Sequence, residues 1–299
     1  MTVLKRIGTS IAAAALALTL VACQGVGGSD STASTPAASS TPVTTSTAGP
    51  GVSVLSPKLM IPGLNRERTV RLYLPPGYAT STKRYPVLYM HDGQNLFDAA
   101  TAYAGEWGVD ETLNELAKTK GLELIVVGID NGGDKRMTEL NPWDFERFGK
   151  GEGAQYMDFI VKVLKPQIDA TYRTLAGREA TGIMGSSMGG LISQYAILQY
   201  PQVFSKAGIF SPAYWPGMEV FDMTAKQRPA PDARLAFTMG GKEGGAVPLY
   251  ERMLAQLQAQ GHPAANTWAQ FTPQAEHNEA AWRADFGAAV QWLFATTQP

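Results

Sequence analysis

The sequence predicts an α/β protein with one large, mostly parallel sheet covered by helices on both faces. Three observations predict it. Strand-like and helix-like segments alternate after about residue 53. The helical patterns between the strands are long enough for the crossovers that parallel strands need. Finally, 299 residues with 44% hydrophobic content can bury a core around one such sheet, and no internal repeat divides the chain.

The predicted elements follow one another in a regular order. The strands lie at 69–74, 87–90, 124–129, 180–184, 207–210, 234–239 and 267–272. Helical patterns lie at 109–118, 156–168, 191–200, 248–260 and 280–294, the last closing the chain. Functional groups are expected at the carboxyl ends of the strands, where open α/β sheets gather their chemistry.

Composition excludes several classes of protein. The net charge is −1 and no basic stripe occurs, so nucleic acid is not an expected partner. The three histidines are far apart in the sequence and no close cluster of Asp, His or Cys accompanies them, so we predict neither a metal site nor a cofactor. Cys23 is the only cysteine, which excludes a disulfide within one chain.

The N-terminal residues read as an export signal. Lys5 and Arg6 precede an apolar run at 11–21, which is too short for a comfortable membrane span. The run ends in Leu-Val-Ala-Cys at 20–23, which resembles a bacterial lipobox, where the cysteine sulfur is lipidated and the chain is cut before it. Gln24, in place of aspartate, permits sorting to the outer membrane. The predicted location is therefore the cell envelope, at the outer membrane.

The predicted domains are a signal peptide at 1–22, a lipidated linker at 23–52 and a globular domain at 53–299. The linker is made of Ser, Thr, Ala, Gly and Pro, which cannot bury enough surface to offset the entropy of ordering. Removal of the signal leaves 23 basic and 26 acidic residues, too small an imbalance to draw the domain onto anionic lipid. Membrane contact is therefore expected through the N-terminal lipid only.

The most informative motif is Gly-Ser-Ser-Met-Gly at 185–189, a G-x-S-x-G pattern. It stands between a predicted strand and a predicted helix, the setting in which this pattern presents a nucleophilic serine on a tight turn. Glycine is needed on either side of the serine because a Cβ would collide with the neighbouring strand and helix. Ser187 is therefore the candidate nucleophile.

A serine hydroxyl is a weak nucleophile, so a histidine base should follow it in the chain. His91 precedes the motif, and His262 lies in a polar turn before the last strand. His277 lies on the loop after that strand, at its carboxyl end. We therefore take His277 as the general base.

A carboxylate should orient the histidine ring and balance its charge. Glu243 leaves the strand at 234–239, after the motif in sequence, and is the first choice. Asp222 and Asp232 are the rivals.

The oxyanion of an acyl-transfer reaction needs two backbone N–H donors. Met188, directly after the serine, would supply one. The strand at 87–90 runs into His-Asp-Gly-Gln at 91–94, where Gly93 permits a turn that can aim the Gln94 N–H at the serine.

Four segments together resemble the putative-esterase (esterase D-like) family of α/β-hydrolases. They are YMHDGQNLFD at 89–98, VGIDNG at 127–132, GSSMGG at 185–190 and HNEAAW at 277–282. The resemblance covers the chain from about residue 55 to its end, and the motifs arrive in the family's order. It implies the α/β-hydrolase fold, Ser187 as nucleophile, His277 as base, and Met188 with Gln94 as oxyanion donors. The type of acid varies within the family, so Glu243 depends on its position.

The family includes feruloyl and acetylxylan esterases, siderophore-lactone esterases, S-formylglutathione hydrolases and mycolyltransferases. The resemblance therefore implies a serine carboxylesterase acting through an acyl-enzyme, with feruloyl or acetyl esters of carbohydrates as the first substrate class. A siderophore trilactone is the second, and the export signal disfavours the cytoplasmic S-formylglutathione role. Acyl transfer, and a non-catalytic binding module on the same fold, are the alternatives. The aromatic and polar loops at 131–145 and 211–216 are expected around the substrate cleft.

Overall fold

A computed structural model describes residues 45–295. The predicted signal peptide at 1–22, the lipidation site Cys23 and the linker as far as residue 44 lie outside the described residues. The strands are β1 Val52–Val54, β2 Leu59–Ile61, β3 Arg66–Arg68, β4 Val70–Tyr73, β5 Val87–His91, β6 Ile125–Ile129, β7 Thr181–Ser186, β8 Lys206–Phe210, β9 Arg234–Gly240 and β10 Thr267–Thr272. The helices are α1 Val109–Lys120, α2 Arg136–Glu139, α3 Gly153–Phe159, α4 Lys165–Thr171, α5 Met188–Gln199, α6 Glu219–Gln227, α7 Val247–Ala259 and α8 Glu279–Phe294, and a π-helical turn, Ile160–Leu164, joins α3 to α4.

Eight strands form one sheet in the order β1-β4-β6-β5-β7-β8-β9-β10. The six neighbouring strands from β6 to β10 in this order are parallel. At the other end of the sheet, β4 runs antiparallel to both of its neighbours, β1 and β6. Strands β2 and β3 form a separate hairpin. The mostly parallel sheet that the sequence predicts is confirmed, and every predicted strand is present.

Both faces of the sheet are covered, because neighbouring side chains of each parallel strand enter different cores. In β5, Val87 and Tyr89 belong to a core shared with α3 to α7. Leu88 and Met90 belong to a second core on the other face, shared with α1 and α8. Strands buried on both sides bring their carboxyl ends together at one edge of the sheet, and the loops of the site leave from that edge.

Four elements go beyond the predicted set: the edge strand β1, the β2–β3 hairpin, and helices α2 and α6. The predicted helix at 156–168 is longer, from 153 to 171, with the π-helical turn at its centre. No helix within residues 45–295 is both long and apolar enough to cross a membrane.

The segment before β1 is bound to the domain by hydrogen bonds to carboxylates. The Ser46 hydroxyl and the Thr47 N–H donate to Asp98, at 2.9 and 3.1 Å. The Thr47 hydroxyl donates to Glu106, at 2.9 Å, and itself accepts the Ala99 N–H. The Gly49 N–H donates to Asp110, at 2.8 Å. Residues 46–49 are thereby attached to the loop that follows β5 and to the first turn of α1.

Candidate active site

Ser187 occupies the sharp turn between β7 and α5. Its backbone has φ 57° and ψ −118°, a conformation that is unfavourable for a residue with a side chain. A Cβ at Gly185 would lie 2.9 Å from the Gly189 Cα and 3.0 Å from the His91 ring, and one at Gly190 would lie 2.9 Å from the Phe210 carbonyl oxygen. Close packing therefore requires Gly185, the first glycine of the motif, and Gly190, which directly follows the motif. A Cβ at Gly189, the second glycine of the motif, would make a less severe contact, 3.3 Å from the His91 Cβ.

The end of β8 holds this turn in place. The Ser187 N–H donates to the Phe210 carbonyl, at 2.9 Å, and the Ser187 carbonyl accepts the Ala213 N–H, also at 2.9 Å. The same carbonyl accepts the Leu191 N–H of α5. The strained backbone is thus fixed from the strand and the helix together.

Glu243 and His277 are in direct contact. The His277 Nδ1 lies 2.6 Å from the Glu243 Oε2. The Glu243 side chain is 1% exposed and that of His277 is 43% exposed. Burial alone would raise the pKa of Glu243, but hydrogen bonds from His277, Ser211 and the Gly240 N–H outweigh it and hold the pKa below its usual value. A buried, ionised carboxylate therefore faces a histidine that is open to the cleft.

Ser211 and Trp282 extend this contact. The Ser211 hydroxyl donates to Glu243 Oε1, at 2.6 Å, and accepts the Trp282 indole N–H, at 3.0 Å. The Trp282 ring also lies edge-on to the His277 ring, with centroids 5.0 Å apart. One tryptophan therefore supports both members of the pair, directly at the histidine and through Ser211 at the carboxylate. Ser211 and Trp282 lie in segments that the sequence associates with the site, but the sequence predicts no role for either at the histidine and carboxylate.

The rival residues lie elsewhere. Asp232 pairs with Arg178, and Asp222 is exposed on α6. His262 lines a separate cleft with several prolines. His91 ends β5 and is buried, with its Nδ1 2.8 Å from the Tyr156 hydroxyl. Burial lowers the pKa of His91 to about 4, so it is neutral at ordinary pH.

Gln94 lies on the turn after β5, in a short 3-10 helix, Gly93–Asn95. Its side-chain Oε1 accepts the Asn131 N–H, and its carbonyl accepts the Thr101 hydroxyl. Within residues 45–295 the backbone N–H groups of Gln94 and Met188 donate to no acceptor in the chain. Both N–H groups thus remain available to a bound molecule.

Two clefts meet at Ser187 and His277. The larger has a volume of about 950 Å³, and charged and amide side chains, with Gln94, Arg136 and Glu279 among them, line part of it. Burial raises the pKa of Glu279. The smaller has a volume of about 420 Å³. Its lining is largely apolar: Pro212, Ala213, Tyr214, Trp215, Ala246 and Leu249.

The Ser187 hydroxyl forms no hydrogen bond to His277 in the described part of the chain. Such contacts are often long before a substrate binds. The shared clefts place the two side chains at one site.

The two aromatic loops divide between the site and the core. Trp215 is 46% exposed, lines the apolar cleft and packs edge-on against Phe145. Trp143 is half-buried and packs against Tyr195. The first part of the 131–145 loop reaches the larger cleft through Asn131, Gly133 and Arg136.

Three carboxylates lie close together away from Ser187. Oxygens of Glu106, Asp110 and Glu111 are within 4.8 Å of one another. Thr47 and Gly49 of the N-terminal segment already donate hydrogen bonds to two of them. We assign no ion to this group, because carboxylates cluster commonly without one.

The sheet order, the strained serine between β7 and α5, and the carboxylate and histidine that follow it along the chain define an α/β-hydrolase-fold protein. A family model described as "Putative esterase" matches residues 61–293, and the chain belongs to this family.

The chain is also similar in sequence or in structure to individual proteins. The chain is 30% identical over 203 residues to the uncharacterized protein YbbA of Bacillus subtilis (strain 168), covering 65% of this chain and 76% of YbbA. It is 26% identical over 162 residues to an endo-1,4-beta-xylanase/feruloyl esterase of Xylanibacter ruminicola, covering 53% of this chain and 21% of that protein. The enterobactin esterase of Shigella flexneri, solved in the presence of enterobactin, superposes with a TM-score of 0.66 at 19% identity, covering 83% of this chain and 60% of that one. Family and fold together identify an esterase of the α/β-hydrolase type.

Proposed function

We propose that the protein is a serine carboxylesterase that cleaves acyl esters through an acyl-enzyme on Ser187. The observation that carries the proposal is the buried Glu243 carboxylate bound to His277 at the clefts that contain Ser187. A carboxylate at Nδ1 keeps the proton on that nitrogen and leaves Nε2 free to act as the base.

In the first half of the reaction, the Ser187 Oγ attacks the ester carbonyl carbon while His277 Nε2 takes the hydroxyl proton. The carbonyl oxygen becomes an oxyanion that accepts hydrogen bonds from the Gln94 and Met188 N–H groups. Collapse of the tetrahedral intermediate breaks the bond to the alcohol oxygen, which leaves with the proton from His277. The Ser187 acyl ester remains.

In the second half, water takes the place of the alcohol. His277 removes a proton from the water as its oxygen attacks the acyl carbon, and then returns a proton to the Ser187 Oγ. A carboxylic acid leaves and the enzyme is regenerated. A sugar hydroxyl in place of water would give acyl transfer by the same steps.

For the substrate, we propose an ester with an acyl group in the apolar cleft and a polar alcohol, such as a sugar, in the larger cleft. Trp215 suits an aromatic acyl group, and the amide and carboxylate groups of Asn95 and Glu279 suit hydroxyl groups. Feruloyl or acetyl esters of carbohydrates therefore come first. A catecholate trilactone comes second, because it also combines aromatic rings with a polar backbone.

A hydrolysis screen tests the proposal on the chain from Gln24 onward, with Ser187→Ala as the matched control. The substrates are p-nitrophenyl acyl esters, feruloyl and acetyl sugar esters, and a catecholate trilactone, with and without a sugar acceptor. We expect the sugar esters to have the highest kcat/KM. Preference for the trilactone reverses the ranking, and ester products on the sugar acceptor show transfer. If neither the wild-type enzyme nor Ser187→Ala hydrolyses any of these esters, the proposal is contradicted.

We also propose that Cys23 carries a lipid that anchors the protein in the cell envelope, at the outer membrane. The motif at 20–23 supports this proposal. Cys23→Ser should move the protein out of the membrane fraction or block its processing, and leave the specific activity of the enzyme domain unchanged. Mass spectrometry of the mature N-terminus decides the matter. An unmodified Cys23, or cleavage at another position, contradicts the anchor.

A further inference from the structure

The turn that carries Gln94 begins with a residue in an unusual conformation. Asp92 has φ 56° and ψ 47°, in the left-handed region that residues other than glycine, asparagine and aspartate seldom adopt. Gly93, next to it, packs closely against the backbone at the end of β6. A Cβ at Gly93 would be 2.7 Å from the Gly128 carbonyl carbon and 2.9 Å from the Asp130 nitrogen. The turn after β5 is therefore pressed against the loop after β6.

The Asp92 carboxylate joins these two segments. Arg136 donates to it twice, from Nε to Oδ1 at 2.7 Å and from Nη2 to Oδ2 at 2.9 Å. The Asn131 side chain donates to Oδ1, also at 2.7 Å. The Asp92 side chain is only 9% exposed. Burial would raise the pKa of Asp92, but the charge and hydrogen bonds of Arg136 lower it, so the pair is ionised.

Gln94 is held by the same loop. Its side-chain oxygen accepts the Asn131 N–H at 3.1 Å, and its carbonyl accepts the Thr101 hydroxyl at 2.8 Å. The backbone N–H of Gln94 donates to no acceptor among the described residues. The peptide that carries this N–H is fixed through the Gly93 carbonyl, which accepts the Leu96 N–H at 3.2 Å. With the Gln94 side-chain oxygen and carbonyl also bound, the N–H is left for the oxyanion.

We propose that Arg136 is a positioning residue for the oxyanion donor, acting through Asp92. The bidentate pair joins the loop after β6 to the turn after β5, holds Asp92 in its left-handed conformation and so sets the direction of the next peptides and of the Gln94 N–H. This inference rests on the proposed role of Gln94. Arg136 belongs to a loop expected from sequence to contact substrate, and the inference gives it a different task.

The inference makes a quantitative prediction for Arg136→Gln. Displacing one oxyanion donor lowers kcat by roughly 10- to 100-fold, because a misplacement near 1 Å already has an effect of that size. KM should stay within about threefold, since the donor acts on the transition state and not on the bound ester. Arg136→Lys should lie between wild type and Arg136→Gln, because lysine cannot make the bidentate contact.

Variants at Asp92 test whether Arg136 acts through this residue. Asp92→Gly adopts the left-handed conformation freely but loses the carboxylate. If the pair positions the turn, Asp92→Gly should lower kcat as Arg136→Gln does, and the double variant should be no worse than either single one. Independent effects that multiply in the double variant would overturn the inference.

A second readout separates positioning from folding. A fluorophosphonate places a phosphoryl oxygen where the oxyanion forms, so its rate of reaction with Ser187 should fall in parallel with kcat. Circular dichroism and thermal unfolding report the fold. Should Arg136→Gln not fold, because it leaves a buried charge unpaired, the charge-neutral double variant Asp92→Asn/Arg136→Gln takes its place with the same expected loss. Arg178→Gln, which breaks an exposed pair far from the clefts, is the matched control and should change kcat less than twofold.

The outcomes are distinct. A folded Arg136→Gln enzyme with kcat within threefold of wild type overturns the inference and leaves the serine mechanism standing. A large rise in KM at unchanged kcat also overturns it, because Arg136 would then be binding substrate directly. If Ser187→Ala itself retains activity, the proposed function fails, and this inference fails with it.

Discussion

The two edges of the parallel sheet are built in different ways. At the carboxyl edge, three neighbouring strands end in Asp92, Ser187 and Ser211, which are all non-glycine residues with positive φ, at 56°, 57° and 41°. Buried hydrogen bonds hold each of them. At the amino edge, the loops are tied by exposed pairs such as Arg178 with Asp232, whose side chains are 27% and 65% exposed.

This difference should separate substitutions that lower activity from substitutions that the protein tolerates. Strained backbone persists only where the surroundings determine it fully, and it clusters at functional sites. Exposed ion pairs contribute little to stability and are easily replaced. The carboxyl edge should therefore tolerate few substitutions without loss of activity, and the amino edge should tolerate many. The following predictions test this contrast, beginning with the largest effect.

Ser187→Ala should lower kcat by at least roughly 10³, because it removes the nucleophile and leaves only the oxyanion donors and substrate binding. Its neighbour Ser186→Ala should be far milder. Steady-state kinetics on one p-nitrophenyl ester, with labelling by a fluorophosphonate, measures both. Labelling of a different serine, or near-full activity of Ser187→Ala, would show that the nucleophile has been misassigned.

Glu243→Gln should lower kcat by roughly 10² to 10⁴ and leave KM almost unchanged, because the carboxylate fixes the His277 tautomer and balances its charge without touching the ester. Asp222→Asn is the matched control and should stay within about threefold of wild type. Both are measured at one pH, with circular dichroism as the check on folding. If neither variant matters, the site works as a pair of Ser187 and His277, and the trilactone becomes the first substrate class.

The buried His91, which packs against the turn at Ser187, should make the free energy of unfolding depend on pH. Its pKa is about 4 in the folded protein and 6.5 otherwise, so protons bind preferentially to the unfolded chain between these values. The stability that follows from keeping His91 neutral is fully present above pH 6.5 and is lost as the pH falls towards 4. Between pH 7 and pH 5 it amounts to about 2 kcal/mol. His91→Gln should abolish that part of the slope in urea unfolding, and an unchanged slope would contradict it.

Asp232→Asn should have the smallest effect, since it breaks only an exposed pair at the amino edge. The free energy of unfolding should change by about 0.5 kcal/mol or less, and kcat by less than about threefold. Thermal unfolding and kinetics measure these quantities. A large loss of activity would show that the amino edge is coupled to the site.

The parallel part of the fold could be predicted from sequence because each central strand is an apolar run that ends in turn residues. The last strand is found at 267–272 as predicted, and the ends of the other predicted strands differ by at most two residues. The short antiparallel strands β1, β2 and β3 have three residues each and little burial. Their pairing depends on tertiary contacts, which leave no period in the sequence.

Much of the site could be predicted for the same reason. The structure brings Glu243 to His277 and places Gln94 in the cleft with Ser187, whereas the lipidation site stays a prediction. The contact of Asp92 with Arg136 could not be predicted from either residue, because they are 44 positions apart in loops after two strands. Only the adjacency of β5 and β6 brings them together, and sheet order is not written in local sequence.

The attachment of residues 46–49 has a mechanical consequence. In a protein tethered through Cys23, this segment would be the first part of residues 45–295 to receive a pull along the chain. The load would fall on the hydrogen bonds from Ser46, Thr47 and Gly49 to three carboxylates before it reached the β1–β4 pair. Two of those carboxylates, Asp98 and Glu106, flank residues 101–104, which form a wall of the larger cleft. Tension on the tether would therefore act on the rim of the cleft before it reached the turn at Ser187, which the end of β8 holds in place.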